Sequence, residues 1–206
     1  MLSSLPGEIV KGIRLTLVFG LITGVIYPLF VTGVSQAVFN NQANGSLIAD
    51  KHGQVVGSKL IGQWFDPNNL RYFHPRPSAT VDPATGKPLP YAANNSAGSN
   101  LGPSNPTLIN RVTSEARRLK STESNVPVDG VPVDSVTTSF SGLDPDISVA
   151  YAQIQVDRVA RARGLDPAKV RALVDRYTQG RVLFFFGEPH VNVLMLNLAL
   201  DNGEAG

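Results

Sequence analysis

The chain has 206 residues, enough for one ordinary domain with its own core and too few for two large ones. Its 18 Lys and Arg residues against 16 Asp and Glu residues give a net charge of only +2, so no strong positive field indicates a nucleic-acid partner. The sequence has no cysteine, which excludes disulfides, thiolate nucleophiles and cysteine-based metal sites.

Charged residues are distributed unevenly along the chain. None lies between Arg14 and Asp50, and a predominantly apolar run of about 20 residues, the length that crosses a bilayer, begins directly after Arg14. Lys11 and Arg14 precede this run and the next cation is Lys51, so the positive-inside rule predicts a cytoplasmic N-terminus. The sequence therefore predicts a cytoplasmic segment over 1–14, a single transmembrane helix over 15–37 and an extracytoplasmic, periplasmic domain over 38–206.

A cleaved signal peptide is the alternative interpretation of this segment. Ser35-Gln36-Ala37 would be its cleavage site, and the remainder would be an exported soluble binding module or hydrolase released near Ala37. The apolar run is longer than the ~7–15 residues of an ordinary signal peptide, which favours a retained anchor. Both interpretations export the remainder of the chain.

Four residues recur at every fourth position of the predicted membrane helix: Thr16, Gly20, Gly24 and Pro28. Small residues on one face allow a second helix to approach closely, which predicts a helix-packing surface for a partner. Glycine and proline are also simply commoner in membrane helices, which is the alternative explanation. Pro28 removes a backbone donor and predicts a kink.

Beyond residue 50 the sequence predicts a loop-rich α+β domain with a small mixed sheet. Short apolar runs bounded by glycine predict strands over 53–57 and 59–65. Residues 66–106 are dense in Pro, Asn, Ser and Gly and predict a long loop. Its aromatic residues Tyr72, Phe73 and Tyr91 indicate that at least part of the loop packs down.

Capping signals predict three helices, which begin at Asn105-Pro106, Asp144-Pro145 and Asp166-Pro167. The second helix should end at Gly164, with Val149, Ala152, Val156 and Val159 on its buried face and Asp157, Arg158, Arg161 and Arg163 facing water. Residues 121–138 are expected to form loop and edge strand, and the third helix should close by Gly180. The apolar run 181–186 predicts a buried strand, and the residues after His190 predict either a strand or a short helix capped by Asn192.

No spacing of residues predicts a catalytic or metal site. His52, His74 and His190 are far apart, and no nucleophile motif of the kinds Gly-x-Ser-x-Gly or Ser-x-x-Lys occurs. The Gly-Lys pair at residues 86–87 fails as a phosphate-binding loop because Pro88 follows where Ser or Thr is required. The turn 139–142 before Asp144 has the composition of an anion-binding helix N-terminus, although a simple capped turn is the commoner meaning.

Five short motifs follow one another in an order that is specific as a set. They are Gly57–Phe65, Tyr72–Ala79, Gly98–Pro106, Ser141–Ser148 and Gly187–Leu200. Together with the N-terminal apolar segment, this order resembles the C subunit of the Kdp potassium-transporting ATPase. The chain departs from the family at Phe140, where a small residue is usual, and in the loop 121–134.

The resemblance implies a bacterial inner-membrane complex that hydrolyses ATP to take up potassium. It implies as partners a channel-like A subunit, a B subunit that is a P-type ATPase, and a small F subunit, with lipid around the helix. The chain lacks the Asp-Lys-Thr-Gly-Thr motif of the phosphorylated pump, so it is expected to be a non-catalytic accessory subunit with no firmly bound cofactor or metal.

The family's C subunit is described as a catalytic chaperone that raises the ATP affinity of the B subunit. The resemblance makes Ser139, Ser141, Gly142 and Asp144 candidate nucleotide, anion or partner contacts, and it makes Arg76, Ser99, Asn100, Ser104 and Asn105 candidate partner contacts. ATP is cytoplasmic, whereas the charge bias places the domain outside. We therefore expect assembly or modulation near the external potassium entrance in preference to direct ATP contact.

Overall fold

A computed structural model describes residues 5–127 and 130–205 of the chain. The chain divides into two compact units between Leu47 and Ile48. The first is a helical N-terminal segment, and the second is a domain of helices and small sheets, as the sequence predicts. The first four residues of the predicted cytoplasmic segment lie outside the described residues.

The N-terminal unit contains one long apolar helix. It consists of α1 (Leu5–Leu21), a π-helical turn (Ile22–Ile26) and α2 (Tyr27–Val38), and it is followed by the short α3 (Asn40–Ala43). The stretch Pro6–Val38 is long and apolar enough to cross a membrane, and none of its apolar window is buried against the described chain. An apolar helix without a protein neighbour needs either lipid or a partner around it.

The π-helical turn explains how the helix accommodates Pro28. The backbone N–H of Tyr27 donates to the carbonyl of Ile22, five residues back, instead of to that of Thr23. Proline has no N–H and its ring crowds the carbonyl four residues earlier, which here belongs to Gly24. The wider turn relieves this crowding, so the distortion predicted at Pro28 takes the form of a π-helical turn.

The second unit alternates short strands with helices. Strand β1 (Leu47–Ala49) begins at the last residue of the first unit and continues into the second. The later elements of the second unit are β2 (Val55–Ser58), α4 (Pro106–Thr122), α5 (Val133–Val136), β3 (Asp146–Ser148), α6 (Val149–Arg163), α7 (Pro167–Tyr177), β4 (Thr178–Gln179), β5 (His190–Asn192) and α8 (Val193–Asp201). Strands β1 and β2 pair with each other, and β3, β5 and β4 form an antiparallel sheet in that order, with Ile147 opposite Val191.

Most of the predicted capping residues are confirmed. Asn105 accepts a hydrogen bond from the N–H of Thr107 at 2.8 Å, and Asp166 caps α7 in the same way. Gly164 ends α6 in the left-handed conformation that glycine tolerates best, with φ of 68°. Asn192 satisfies both predicted alternatives, because it is the last residue of β5 and its side chain caps α8.

Several sequence predictions are wrong. The helix predicted at Asp144-Pro145 begins only at Val149, because β3 intervenes and Ser148 is the cap. Residues 59–65 form a loop with one isolated bridge in place of a strand. In the described part of 121–138 the edge strand is replaced by the single-turn helix α5, and residues 128–129 lie outside the described residues. The run Val182–Phe186 is an exposed turn and not a buried strand.

The core of the domain is built around α6. Of the four residues predicted on its apolar face, Ala152, Val156 and Val159 are buried and Val149 is partly buried; Tyr151 is buried as well. Arg158, predicted to face water, is also buried, with 3% of its surface exposed. The spacing of apolar residues in α6 predicts one buried face. The long loop that follows β2 covers a second face of the helix, and Arg158 is buried there.

Arg158 explains how this second side is stabilised. Its guanidinium donates to the Glu123 carboxylate at 2.7 Å and to the carbonyls of Leu70 and Tyr72 at 2.8 and 2.9 Å. It also donates to the side-chain oxygen of Gln155 at 2.7 Å. A buried charge with this many partners fixes the surrounding chain in one arrangement, and removing it leaves Glu123 unpaired.

We expect Arg158→Leu to reduce the free energy of unfolding by about 3–5 kcal/mol, because it leaves a buried carboxylate and several carbonyls without a donor. The matched control is Arg171→Leu on α7, whose partner Asp157 is 3.9 Å away and whose side chain is half exposed. That change should cost within about 0.5 kcal/mol. Urea unfolding of the full chain in detergent, followed by Trp64 fluorescence, measures the free energy of unfolding of both variants. Equal losses of stability would contradict the structural role of Arg158.

Candidate functional site

Four segments of irregular chain meet at one place in the domain. We call the set formed by Gly62, 76–80, 91–99 and 138–144 the loop junction. The N–H of Gly62 donates to the Leu143 carbonyl at 2.8 Å, and the N–H of Ala97 donates to the Ser141 carbonyl at 2.9 Å. Loops joined in this way satisfy their backbone groups as strands would.

Two hydroxyl groups complete the loop junction. The Ser78 hydroxyl donates to the carbonyl of Gly142 at 2.8 Å, and the Tyr91 hydroxyl donates to the carbonyl of Arg76 at 2.9 Å. Burial, assisted by the nearby charge of Asp144, raises the pKa of Tyr91 above its ordinary value. The phenol therefore stays protonated and remains a donor at neutral pH.

Glycine is required at the contacts between these loops. Gly142 has φ of +69°, and a Cβ atom there would lie 2.4 Å from Thr80 Cγ2 and 2.6 Å from the Ala97 carbonyl oxygen. A Cβ atom on Gly98 would lie 2.7 Å from the carbonyl oxygen of Phe140. The glycines in these motifs thus allow backbone to touch backbone.

The structure brings the four candidate anion contacts together, although not at a helix N-terminus. Asp144 receives hydrogen bonds from Arg76 at 2.8 Å and from the N–H of Asp146 at 3.1 Å. The Ser141 hydroxyl accepts from the N–H of Leu143, and Gly142 is enclosed as described above. The buried Ser139 hydroxyl has no hydrogen-bond partner among the described residues.

The candidate partner contacts divide into two groups. Arg76 lies in the loop junction, as does Ser99, whose hydroxyl accepts from Thr138 at 3.2 Å. Asn100 is exposed and left-handed, with φ of 48°. Ser104 is exposed, and Asn105 caps α4.

A cleft of about 210 Å³ opens beside the loop junction. Its walls include Arg76, Arg111 and Arg118, together with Trp64 and His74. Glu115 pairs with Arg118 at 2.9 Å, but the buried Nε atoms of Arg76 and Arg111 have no hydrogen-bond partner among the described residues. Burial and the neighbouring Arg158 lower the pKa of His74 to about 4, so His74 adds no charge near pH 7. The chemistry of the cleft suits a small anionic group.

Sequence reasoning did not find Arg111 and Arg118. Their only local signal is their spacing of seven residues on α4, which places two arginines on the same face of that helix. Their approach to Arg76 depends on packing between distant parts of the chain. Among residues 5–127 and 130–205, no group of three or more His, Asp or Glu residues could hold a metal ion.

The aromatic residues at the start of the long loop stack within the domain. The Arg163 guanidinium lies 4.9 Å from the centre of the Tyr72 ring, and the Phe65 ring lies 5.4 Å from it. Arg163 also pairs with Asp201 at 2.8 Å. These contacts indicate a structural role for this aromatic and cationic cluster.

The predicted topology and helix-packing residues lie on the N-terminal helix. Lys11 pairs with Glu8 at 2.8 Å, and Arg14 follows one turn later on α1. Thr16 and Gly20 belong to α1, Gly24 to the π-helical turn and Pro28 to α2. In the described chain no atom from outside the helix backbone lies within 4 Å of a Cβ position at Gly20 or Gly24.

We expect Gly142→Ala to lower the free energy of unfolding by about 3 kcal/mol, the combined effect of a left-handed alanine and an overpacked contact. Gly86→Ala is the matched control, because Gly86 has nearly the same φ of +67° and no atom of the described residues lies within 4 Å of its Cβ position. It should cost only about 1 kcal/mol. Similar urea midpoints for the two variants would contradict the close packing at the loop junction.

Comparison with known proteins gives one consistent result. The family described as the c chain of K+-transporting ATPases matches residues 9–202. A potassium-transporting ATPase KdpC subunit from Sorangium cellulosum is 56% identical over 189 residues, covering 91% of this chain and 93% of that protein. A KdpC subunit from Bradyrhizobium diazoefficiens is 50% identical over 203 residues, covering 96% and 98%. The chain therefore belongs to the KdpC family of potassium-transporting ATPase subunits.

Proposed function

We propose that the chain is the non-catalytic accessory subunit of an ATP-driven potassium uptake complex in the bacterial inner membrane. Its partners in this proposal are the channel-like A subunit, the P-type ATPase B subunit and the small F subunit. The observation that carries the proposal is the long apolar helix, which has no protein neighbour within the described chain and carries two glycines open to contact. Membership of the KdpC family supports the same conclusion.

The geometry of the helix favours contact through its small residues. In an ordinary α-helix 3.6 residues complete a turn, so residues four positions apart point in directions that rotate gradually around the helix axis. A π-helical turn rotates less per residue, so the turn at Ile22–Ile26 opposes this rotation between Gly20 and Pro28. The small-residue face is thereby kept along one side of the helix, where close backbone approach is possible.

A retained anchor fits this helix better than a cleaved signal peptide does. The residues of the alternative cleavage site, Ser35 to Ala37, lie inside α2, which continues to Val38. A helix that remains attached keeps the domain at the membrane. In the proposed topology the domain from residue 38 onward is periplasmic and acts by assembly or modulation near the external potassium entrance.

Direct ATP contact is the second candidate, and the arginine-lined cleft is the observation that favours it. Arg76 and Arg111 each have a buried Nε donor with no hydrogen-bond partner among the described residues, and an anion is a strong acceptor for such donors. The candidate residues Ser141, Gly142 and Asp144 instead have internal contacts in the loop junction, which favours a structural role for them. The side of the membrane on which the domain lies distinguishes direct ATP contact from assembly near the external potassium entrance, because ATP is cytoplasmic.

Replacing both Gly20 and Gly24 by Leu should reduce recovery of the assembled complex in detergent at least tenfold. Leucine raises the hydropathy of the helix and its helical propensity, so membrane insertion is preserved while close approach is blocked. Gly33→Leu, on the same exposed helix, is the control and should leave recovery unchanged. Recovery of the double variant within twofold of the unchanged chain would exclude packing through this face.

A cysteine introduced at the exposed Ser124 should react with a membrane-impermeant thiol reagent in intact cells, because the proposed topology places it outside the cytoplasm. The natural chain has no cysteine, so the label reports one position. Gly7→Cys is the matched control at the other end of the helix and should react only after lysis. Protection of residue 124 until lysis would reverse the topology and make direct ATP contact possible.

A further inference from the structure

A turn of five apolar residues projects from the domain after β4. We call Val182–Phe186 the apolar tip. Each of its side chains is more than half exposed, and Phe184 is 97% exposed. Taking about 200 Å² for a fully exposed ring, the three phenylalanines present roughly 400 Å² of surface. That is the size of the largest apolar patch on a typical monomer, and such patches are often functional.

The apolar tip has a defined shape. The N–H of Val182 donates to the carbonyl of Phe186 and the N–H of Phe186 donates to the carbonyl of Val182, both at 2.9 Å. The rings of Phe185 and Phe186 lie 4.2 Å apart. The apex residues Leu183 and Phe184 have φ of 52° and 70°, which costs about 1–2 kcal/mol for each residue that is not glycine. The fold thus holds apolar side chains outward in a strained turn.

We propose that the apolar tip docks into an apolar depression on another subunit of the potassium-transporting complex. The inference rests on the proposed function, because it requires that the chain assemble with other subunits. Aromatic residues and arginine are enriched at the centres of protein interfaces, and three phenylalanines here stand next to Arg181. Their area supplies about half of the ~800 Å² that one partner contributes to a standard interface.

Charge at the base of the apolar tip distinguishes a protein partner from a lipid surface. Arg181 and Glu188 pair with each other at 2.7 Å, so the base carries no surplus cation. Loops and helices that bind anionic lipid surfaces rely on surplus Lys and Arg, and this region offers none at its base. The apex residues 183–185 also lie outside the two hydrogen bonds that join Val182 and Phe186. A protein partner can form hydrogen bonds with the backbone groups of these residues, whereas lipid hydrocarbon cannot.

These features define the chemistry of the partner surface. It is concave and apolar where the rings of Phe184 and Phe185 enter, and it carries no uncompensated charge there. Its rim is polar, which matches the ion pair of Arg181 and Glu188. A preformed turn loses little conformational freedom on docking, so less of the free energy of apolar burial is offset by ordering of the chain.

The test uses the complete complex, purified in detergent through a tag on another subunit. The double change Phe184→Ser and Phe185→Ser should accelerate dissociation of the chain from the complex at least tenfold. Val133→Ser is the matched control, because Val133 is an apolar residue of α5 that is 73% exposed and lies outside both the apolar tip and the loop junction. It should leave dissociation unchanged. The thermal midpoint of the isolated full chain should be unchanged in the double variant, since neither ring is buried.

Dissociation of the double variant at the unchanged rate would overturn the docking of the apolar tip. The change Phe184→Trp, made in a Trp64→Phe background, provides the second measurement. Quenching of that tryptophan by brominated lipid in the assembled complex would also overturn it, in favour of the bilayer. If the natural chain does not copurify with the other subunits at all, the proposed function fails, and the docking fails with it.

Discussion

The domain depends on buried side chains that bind the backbone of the long loop between β2 and α4. No strand in the described part of the chain pairs with the segment at Phe73 and His74, so the polar groups of that segment require other partners. Asn197 accepts from the N–H of Phe73 at 2.8 Å and donates to its carbonyl at 2.9 Å. Gln155 does the same for His74, at 2.7 and 3.2 Å. Two amides thus act as short substitutes for a strand.

Arg158 and Glu123 extend this arrangement with charge. Burial raises the pKa of the Glu123 carboxyl, and the adjacent Arg158 opposes that rise. The guanidinium of Arg158 also donates to the carbonyls of Leu70 and Tyr72, so the ion pair is tied to the backbone of the long loop. The start of the long loop is therefore bound to α6 and to the end of α4, and the loop junction that follows is assembled on a fixed base.

Short-range signals in the sequence were sufficient to predict where several helices begin and end. The caps at Asn105 and Asp166 and the stop at Gly164 each involve side chain and backbone within a few residues. Arg158 was misassigned because its partners Leu70 and Tyr72 lie 88 and 86 residues away. No periodicity within α6 reports that contact. The cleft arginines escaped prediction for the same reason.

The apolar tip shows a different limit of sequence reasoning. A continuous apolar run normally indicates a buried strand, because water otherwise penalises the exposed side chains. That rule assumes that the chain must bury its apolar residues within itself. A subunit of a complex can leave apolar residues exposed until a partner covers them, and the apolar N-terminal helix is likewise unburied within the described chain. A domain whose irregular loops are already fixed by buried amides and arginine offers such a partner a rigid surface, so docking requires little further ordering of the chain.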